Sequence, residues 1–135
     1  GLLWLSAMRG NPTLAEDASA LLSQIESSSA RGDMPDEEIN AHLLCGIGFM
    51  RQSKLAEAEK HLKHAVQERE RMDAPESLWL AEARLYLAQQ QHLAGNRDVA
   101  RELVRRAAEA HRMQAHVGPQ HRDLMREARR IVGLT

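Results

Sequence analysis

Small side chains recur in this chain at a fixed interval of 42 residues, and that register constrains the fold more than any other feature. Gly46 pairs with Ala88, Ala58 with Ala100, and Ala65 with Ala107. The larger positions keep step, Leu62 with Val104 and Cys45 with Leu87. Gly and Ala contribute little burial energy, so a stretch that keeps them in register keeps them for their shape. Two helices can approach closely only where both present small residues, with a larger neighbour locking beside the contact. An internal period of this length is the sign of an array of helical hairpins. On this reading Gly46 and Ala58 face each other across one hairpin, Leu62 and Phe49 lock beside them, and Ala65 admits the next unit. Gly48 falls outside the pattern, because its counterpart, Gln90, is large.

The rest of the chain agrees with helix. Its 135 residues suffice for one domain, with 43% hydrophobic, 27% charged and only 3% aromatic residues. The core must then come from Leu, Ala, Met, Ile and Val, and no segment alternates apolar and polar as a half-buried strand does. Helices are expected over residues 2–9, then on a face marked by Leu14, Ala18, Leu21, Leu22 and Ile25, then to about Arg51, over 55–72, 76–93, to about Met113, and over 120–132. Asn11-Pro12-Thr13, the segment from Ser27 to Asp33, Gln52-Ser53-Lys54, Asp73-Ala74-Pro75, Gly95 and Val117-Gly118-Pro119 break them. Thr13 with Glu16 forms a candidate capping box, and Asp36 and Asn96 or Asp98 are candidate caps. Short loops between successive helices require antiparallel neighbours.

Gly46, Phe49, Ala58, Leu62 and Ala65 in one unit, and Leu87, Ala88, Ala100, Val104 and Ala107 in the next, resemble the tetratricopeptide repeat pattern. The second unit departs from it at Gln91, where an aromatic belongs. The longer unit and the segment Val117-Gly118-Pro119-Gln120-His121-Arg122-Asp123 resemble the kinesin-light-chain-type subclass, from which Arg122 departs. The resemblance implies an all-α fold of antiparallel helix hairpins stacked as a right-handed superhelix. Residues 1–30 would be a degenerate first unit, 36–73 and 76–114 the two clear units, and 119–132 a terminal capping helix. The whole is expected to be one domain cut from a longer protein.

Charge is unevenly placed although the net value is only −1. Residues 1–96 carry nine basic and fourteen acidic side chains; residues 97–135 carry nine arginines and five acids. Arg97, Arg101 and Arg105 form one helical ridge, and Arg126, Arg129 and Arg130 another. Nucleic acid is the sharp reading of such ridges. Interleaved Asp98, Glu102, Glu109, Asp123 and Glu127 favour a salt-bridged solvated face instead.

Metal chemistry has one candidate constellation. His42 and Cys45 lie three apart on one helix, and His61 and His64 three apart on its partner, so four zinc-type ligands could meet. Cys45 occupies a packed repeat position, however, and His61 and His64 flank Leu62 and are expected to face outward, so no metal or cofactor is assigned. His111, His116 and His121 are expected to share no face, and Trp79 to be buried. A single Cys excludes an internal disulfide. No phosphate loop, nucleophile elbow or paired-carboxylate motif is present, so an enzyme is not expected. No apolar run approaches the roughly 20 residues of a membrane span, and a cytoplasmic location is expected.

In the resembled family the first helix of each hairpin lines an inner groove that takes a peptide or extended segment. The resemblance places Asn40, Leu43, Ile47, Met50 and Arg51 on that face in one unit, and Glu82, Leu85, Gln89 and His92 in the next. The expected function is protein–protein interaction within a larger bacterial signalling or transcription-regulatory protein. Self-association as a homodimer is the alternative, and nucleic-acid binding the third.

Overall fold

The computed structural model of the chain describes residues 13–27 and 35–134. The expected helix over 2–9 lies outside them, as does the expected loop from Ser27 to Asp33 except for Ser27, which is helical. The described residues are all-α. They form α1 (Leu14–Ser27), α2 (Pro35–Arg51), α3 (Leu55–Met72), α4 (Leu78–Leu93), α5 (Arg97–Arg112) and α6 (Pro119–Val132). No described helix is long and apolar enough to cross a membrane.

Several helix starts differ from the sequence expectation. Pro35 is already helical, which suits a residue without an N–H in the first turn. Asp36 therefore lies inside that turn, with Glu37 and Glu38, rather than capping it. α4 begins two residues later than expected because Ser77 caps it, its hydroxyl accepting from the N–H groups of Trp79 (3.2 Å) and Leu80 (3.3 Å). Asn96 sits at the N-cap of α5 but makes no side-chain cap bond; its amide donates to Gln91 Oε1 at 2.9 Å instead. Thr13 Oγ1 donates to the Asp17 carboxylate at 2.9 Å, and Glu16 accepts from Gln52 Nε2 at 3.3 Å.

The chain divides into two compact units, Gly1–Ala65 and Val66–Thr135, with the division falling inside α3 rather than at the Asp73-Ala74-Pro75 breaker. In the first unit α1 packs on α2 and buries Leu14, Ala15, Ala18, Leu22 and Ile25. Gly48 finds its reason here. A Cβ at Gly48 would lie 2.5 Å from the backbone N of Ala15 and 2.7 Å from its Cα, so α1 and α2 touch backbone to backbone. On the opposite side of α2, a Cβ at Gly46 would lie 2.4 Å from Leu62 Cγ, 2.5 Å from Cδ2 and 3.3 Å from the carbonyl oxygen of Ala58. The expected Gly46–Ala58 approach is therefore present, with fully buried Leu62 seated in the space the missing side chain leaves.

In the second unit α4 packs on both α5 and α6. Their core joins Ala81, Leu85 and Ala88 of α4 to Ala100, Val104 and Ala107 of α5 and Met125, Ala128 and Val132 of α6. Small Ala88, Ala100 and Ala107 are again buried beside a larger Val104, each 42 residues from its counterpart in the first hairpin. Arg101 Nε ties α5 to the end of α6 by donating to the Val132 carbonyl at 3.1 Å. Gln91, where the family pattern wants an aromatic, is buried; it donates to Gln90 Oε1 at 2.7 Å and accepts from Asn96.

The turns between α2 and α3 and between α4 and α5 are the same turn. Lys54 N–H donates to Phe49 C=O at 2.9 Å, and Asn96 N–H to Gln91 C=O at 2.8 Å. Ser53 N–H donates to Met50 C=O and Gly95 N–H to His92 C=O, both at 3.0 Å. Each donor and acceptor in one turn is 42 residues from its counterpart in the other. The long bond closing six residues is the Schellman arrangement, which needs a left-handed residue after the helix. Gly95 supplies it at φ 91, and Ser53, in the same register, is held at φ 62. A non-glycine residue there costs about 1 kcal/mol. Ser53→Gly is accordingly expected to raise stability by about 1 kcal/mol and Gly95→Ala to lower it by a similar amount, read from urea-unfolding midpoints. Opposite signs of effect at either position would refute the assignment of a shared turn.

Candidate functional site

The face assigned from sequence to a partner is only partly accessible. On α2, Asn40 and Arg51 are exposed and Met50 is half-buried, whereas Leu43 and Ile47 are buried. On α4, Gln89 and His92 are half-buried, whereas Leu85 is fully buried and Glu82 is 3% exposed. The middle of α4 is enclosed nearly all round, from Leu80 to Leu85 and again at Leu87, Ala88, Gln90 and Gln91. A helix so enclosed leaves the groove reading only Gln89 and His92 on α4.

Glu82 is the anomaly on that helix. Its Oε2 is buried with no hydrogen-bond partner. Burial pushes its carboxyl up to about 7, against the opposing pull of the Arg69 guanidinium. Arg69 is itself buried and lies 3.7 Å from Asp73. Arg84 reaches Glu70 at 3.4 Å. A buried carboxylate with an unpartnered oxygen is costly, and its pKa rises toward the neutral range.

A second constellation lies in the first unit; it shares the three histidines of the candidate set named from sequence but differs from it in its other member and in its geometry. His61 and His64 do not face outward; both are half-buried and meet His42. The His42 and His64 ring centroids are 3.9 Å apart, those of His42 and His61 5.2 Å. Nδ1 of His42 lies 2.9 Å from Nδ1 of His61, a separation at which one ring carries the proton and donates to the other. His61 is stacked on Phe49 with centroids 5.7 Å apart, and Lys54 Nζ stands 5.9 Å over the same Phe49 ring. Burial first, then the positive charges of Lys60 and His64, hold His61 below the ordinary histidine range, with Glu26 pulling the other way.

Cys45 takes no part in this cluster. It is fully buried, its Sγ lies 3.8 Å from Ser19 Oγ, and burial raises its thiol above the usual range. The acid that does join is Glu38. Glu38, His42 and His64 each offer one ligand atom, and the three atoms lie within 4.8 Å of one another. Glu38 stands four residues before His42 on α2, so both side chains leave one helix face. That Glu-x-x-x-His spacing was the available sequence signal, and it was obscured because Glu38 also serves the negative first turn of α2.

His111, His121 and Trp79 also depart from expectation. Trp79 is 54% exposed rather than buried, and its ring meets His121 edge-on with centroids 5.5 Å apart. His121 in turn meets His111 at 6.4 Å, so these two do share a face. Burial lowers both, and the charges of His121 and Arg129 lower His111 further.

The arginine ridges are threaded with acids. Arg105 and Arg106 both reach Glu102, at 3.8 and 3.4 Å; Arg112 pairs with Glu109, Arg126 with Asp123 and Arg130 with Glu127. Exposed pairs three or four apart contribute a few tenths of a kcal/mol each. A cleft of about 530 Å³ lined by Arg105, Arg106, Arg112 and Arg129 also contains Glu102 and Glu109, which offset two of its four cations. Comparison of the chain with protein-family models, with curated proteins and with solved structures returns no match.

Proposed function

We propose that the chain is a non-enzymatic protein–protein interaction module of the tetratricopeptide-repeat kind, whose hairpins stack as a right-handed superhelix and present their first helices to an extended partner segment. One observation carries the reading: buried small residues in one register and the same left-handed turn recur, 42 residues apart, in both hairpins. Repeated hairpins of one shape are units that bury a continuous core by stacking and leave an extended surface for a partner. The accessible part of that surface is Asn40, Met50 and Arg51 on α2 and Gln89 and His92 on α4. A larger signalling or transcription-regulatory protein in the cytoplasm is the setting such a module suits.

The test is selection of peptides from a random displayed library on the immobilised chain. Enriched peptides are expected to lose at least about tenfold in affinity to Arg51→Glu or Gln89→Ala, the loss expected when a hot-spot contact is removed. Glu57→Lys, on the exposed side of α3, is expected to leave affinity unchanged. Absence of enrichment, or equal sensitivity to all three changes, removes the proposal.

Self-association is the second reading, and the exposed apolar groups favour it. Leu93 (56% exposed) and Val99 (51%) flank the Gly95 turn, while Trp79 and Met113 (62%) lie toward the other end of the α4–α5 hairpin. Apolar side chains at hairpin ends are what a further repeat or a second copy would cover. Sedimentation across a concentration series separates the two readings, a monomer throughout removing the second.

A further inference from the structure

We propose that Glu38, His42 and His64 hold a transition-metal dication of the zinc type, as a three-ligand site whose fourth position is open to water or to a donor from outside the chain. The two imidazoles and the carboxylate come from facing helices, α2 and α3, and are half-buried in the first unit. Two nitrogens and one oxygen suit zinc and its neighbours, whereas calcium and magnesium want oxygen alone. Ligand atoms around tetrahedral zinc stand about 3.3 Å apart, from bond lengths of about 2.0–2.1 Å. The three atoms here lie within 4.8 Å of one another and would draw together around an ion.

His61 completes the arrangement. Its Nδ1 faces Nδ1 of His42 at 2.9 Å. Ligating imidazoles carry such an orienting hydrogen bond on the ring nitrogen that does not meet the metal. Stacking on Phe49 fixes the His61 ring in turn. His61 is therefore a positioning residue, with His42 presenting its other nitrogen to the ion. Cys45, three residues from His42 in sequence, is excluded by its burial beside Ser19. The proposal is independent of partner binding on the helix faces, and its test reads metal directly.

The full chain, without a histidine tag and stripped of metal, is titrated with Zn²⁺ against a chromophoric chelator and with Co²⁺ by visible absorption. One equivalent per chain is expected, with cobalt bands of four- or five-coordinate intensity and no thiolate charge-transfer band. His42→Ala and His64→Ala should each weaken binding by more than about 100-fold, beyond the 10- to 100-fold range for loss of an outer partner. Glu38→Gln, which preserves shape, should weaken it at least about tenfold and guards against a His variant that fails to fold, checked by circular dichroism. His61→Ala should weaken it about tenfold while keeping one equivalent and the same cobalt bands. Cys45→Ser and His116→Ala should leave affinity and stoichiometry unchanged. Binding that survives in the His42→Ala/His64→Ala double variant, no stoichiometric uptake by the parent chain, or loss of the cobalt spectrum on Cys45→Ser would overturn the site.

Discussion

Glu82→Gln is expected to stabilise the protein by about 3 kcal/mol at pH 8 and by little at pH 4. The folded carboxyl titrates at about 7 against an ordinary 4.5, because burial disfavours its charged form more than Arg69 favours it. Each unit of difference corresponds to about 1.4 kcal/mol. Between pH 4.5 and 7 the folded chain binds more protons here than the unfolded chain does. Stability from this group is therefore highest at and below pH 4.5, falls as pH rises toward 7, and is flat above. Glutamine keeps the shape of the protonated acid and removes the slope. Urea unfolding of both proteins at pH 4, 6 and 8 reads the difference directly. Parallel curves for the two proteins across that range would show that Glu82 does not carry a buried charge.

Gly48→Ala is expected to destabilise the first unit by about 2 kcal/mol, although alanine is the better helix former by about 1 kcal/mol. The added carbon would meet the Ala15 backbone N at 2.5 Å and Cα at 2.7 Å, and backbone cannot swing aside as a side-chain tip can. Overfilling of a packed contact costs about 1–3 kcal/mol, and a backbone neighbour belongs at or above the upper end. Hydrogen exchange should show α1 amides losing protection before those of α4. Gly46→Ala is the internal comparison. Its nearest neighbours are Leu62 Cγ and Cδ2, which can rotate at the expense of their fully buried packing, so its loss should be the smaller. A Gly48→Ala protein as stable as the parent would mean that α1 does not sit backbone to backbone on α2.

The helices and their register were legible because period and punctuation are local. Gly46, Ala58, Leu62 and their counterparts Ala88, Ala100 and Val104 could be aligned by counting, and all six are buried. Gly48 could not be read that way, since its partner Ala15 belongs to α1 and no local rule names the helix that will cross a glycine. The histidine cluster was half legible. His42, His61 and His64 were visible as spaced pairs, but which side of α3 turns toward α2 is a tertiary fact, and it reversed the expected orientation. The partner face was least legible. Leu43, Ile47, Glu82 and Leu85 lie at groove offsets of the resembled family, yet in this molecule their side chains are covered. Family offsets identify a position within a hairpin; they do not say how much surrounds it.

The shared turn carries a consequence for how such a chain tolerates change. Its closing bonds run from main chain to main chain, Lys54 to Phe49 and Asn96 to Gln91, so the identities of the flanking side chains do not enter them. Serine and glycine at the centre, glutamine and alanine before it, lysine and asparagine after it all yield one geometry. Apart from the left-handed central position, connector letters can therefore drift while the reversal of direction stays the same.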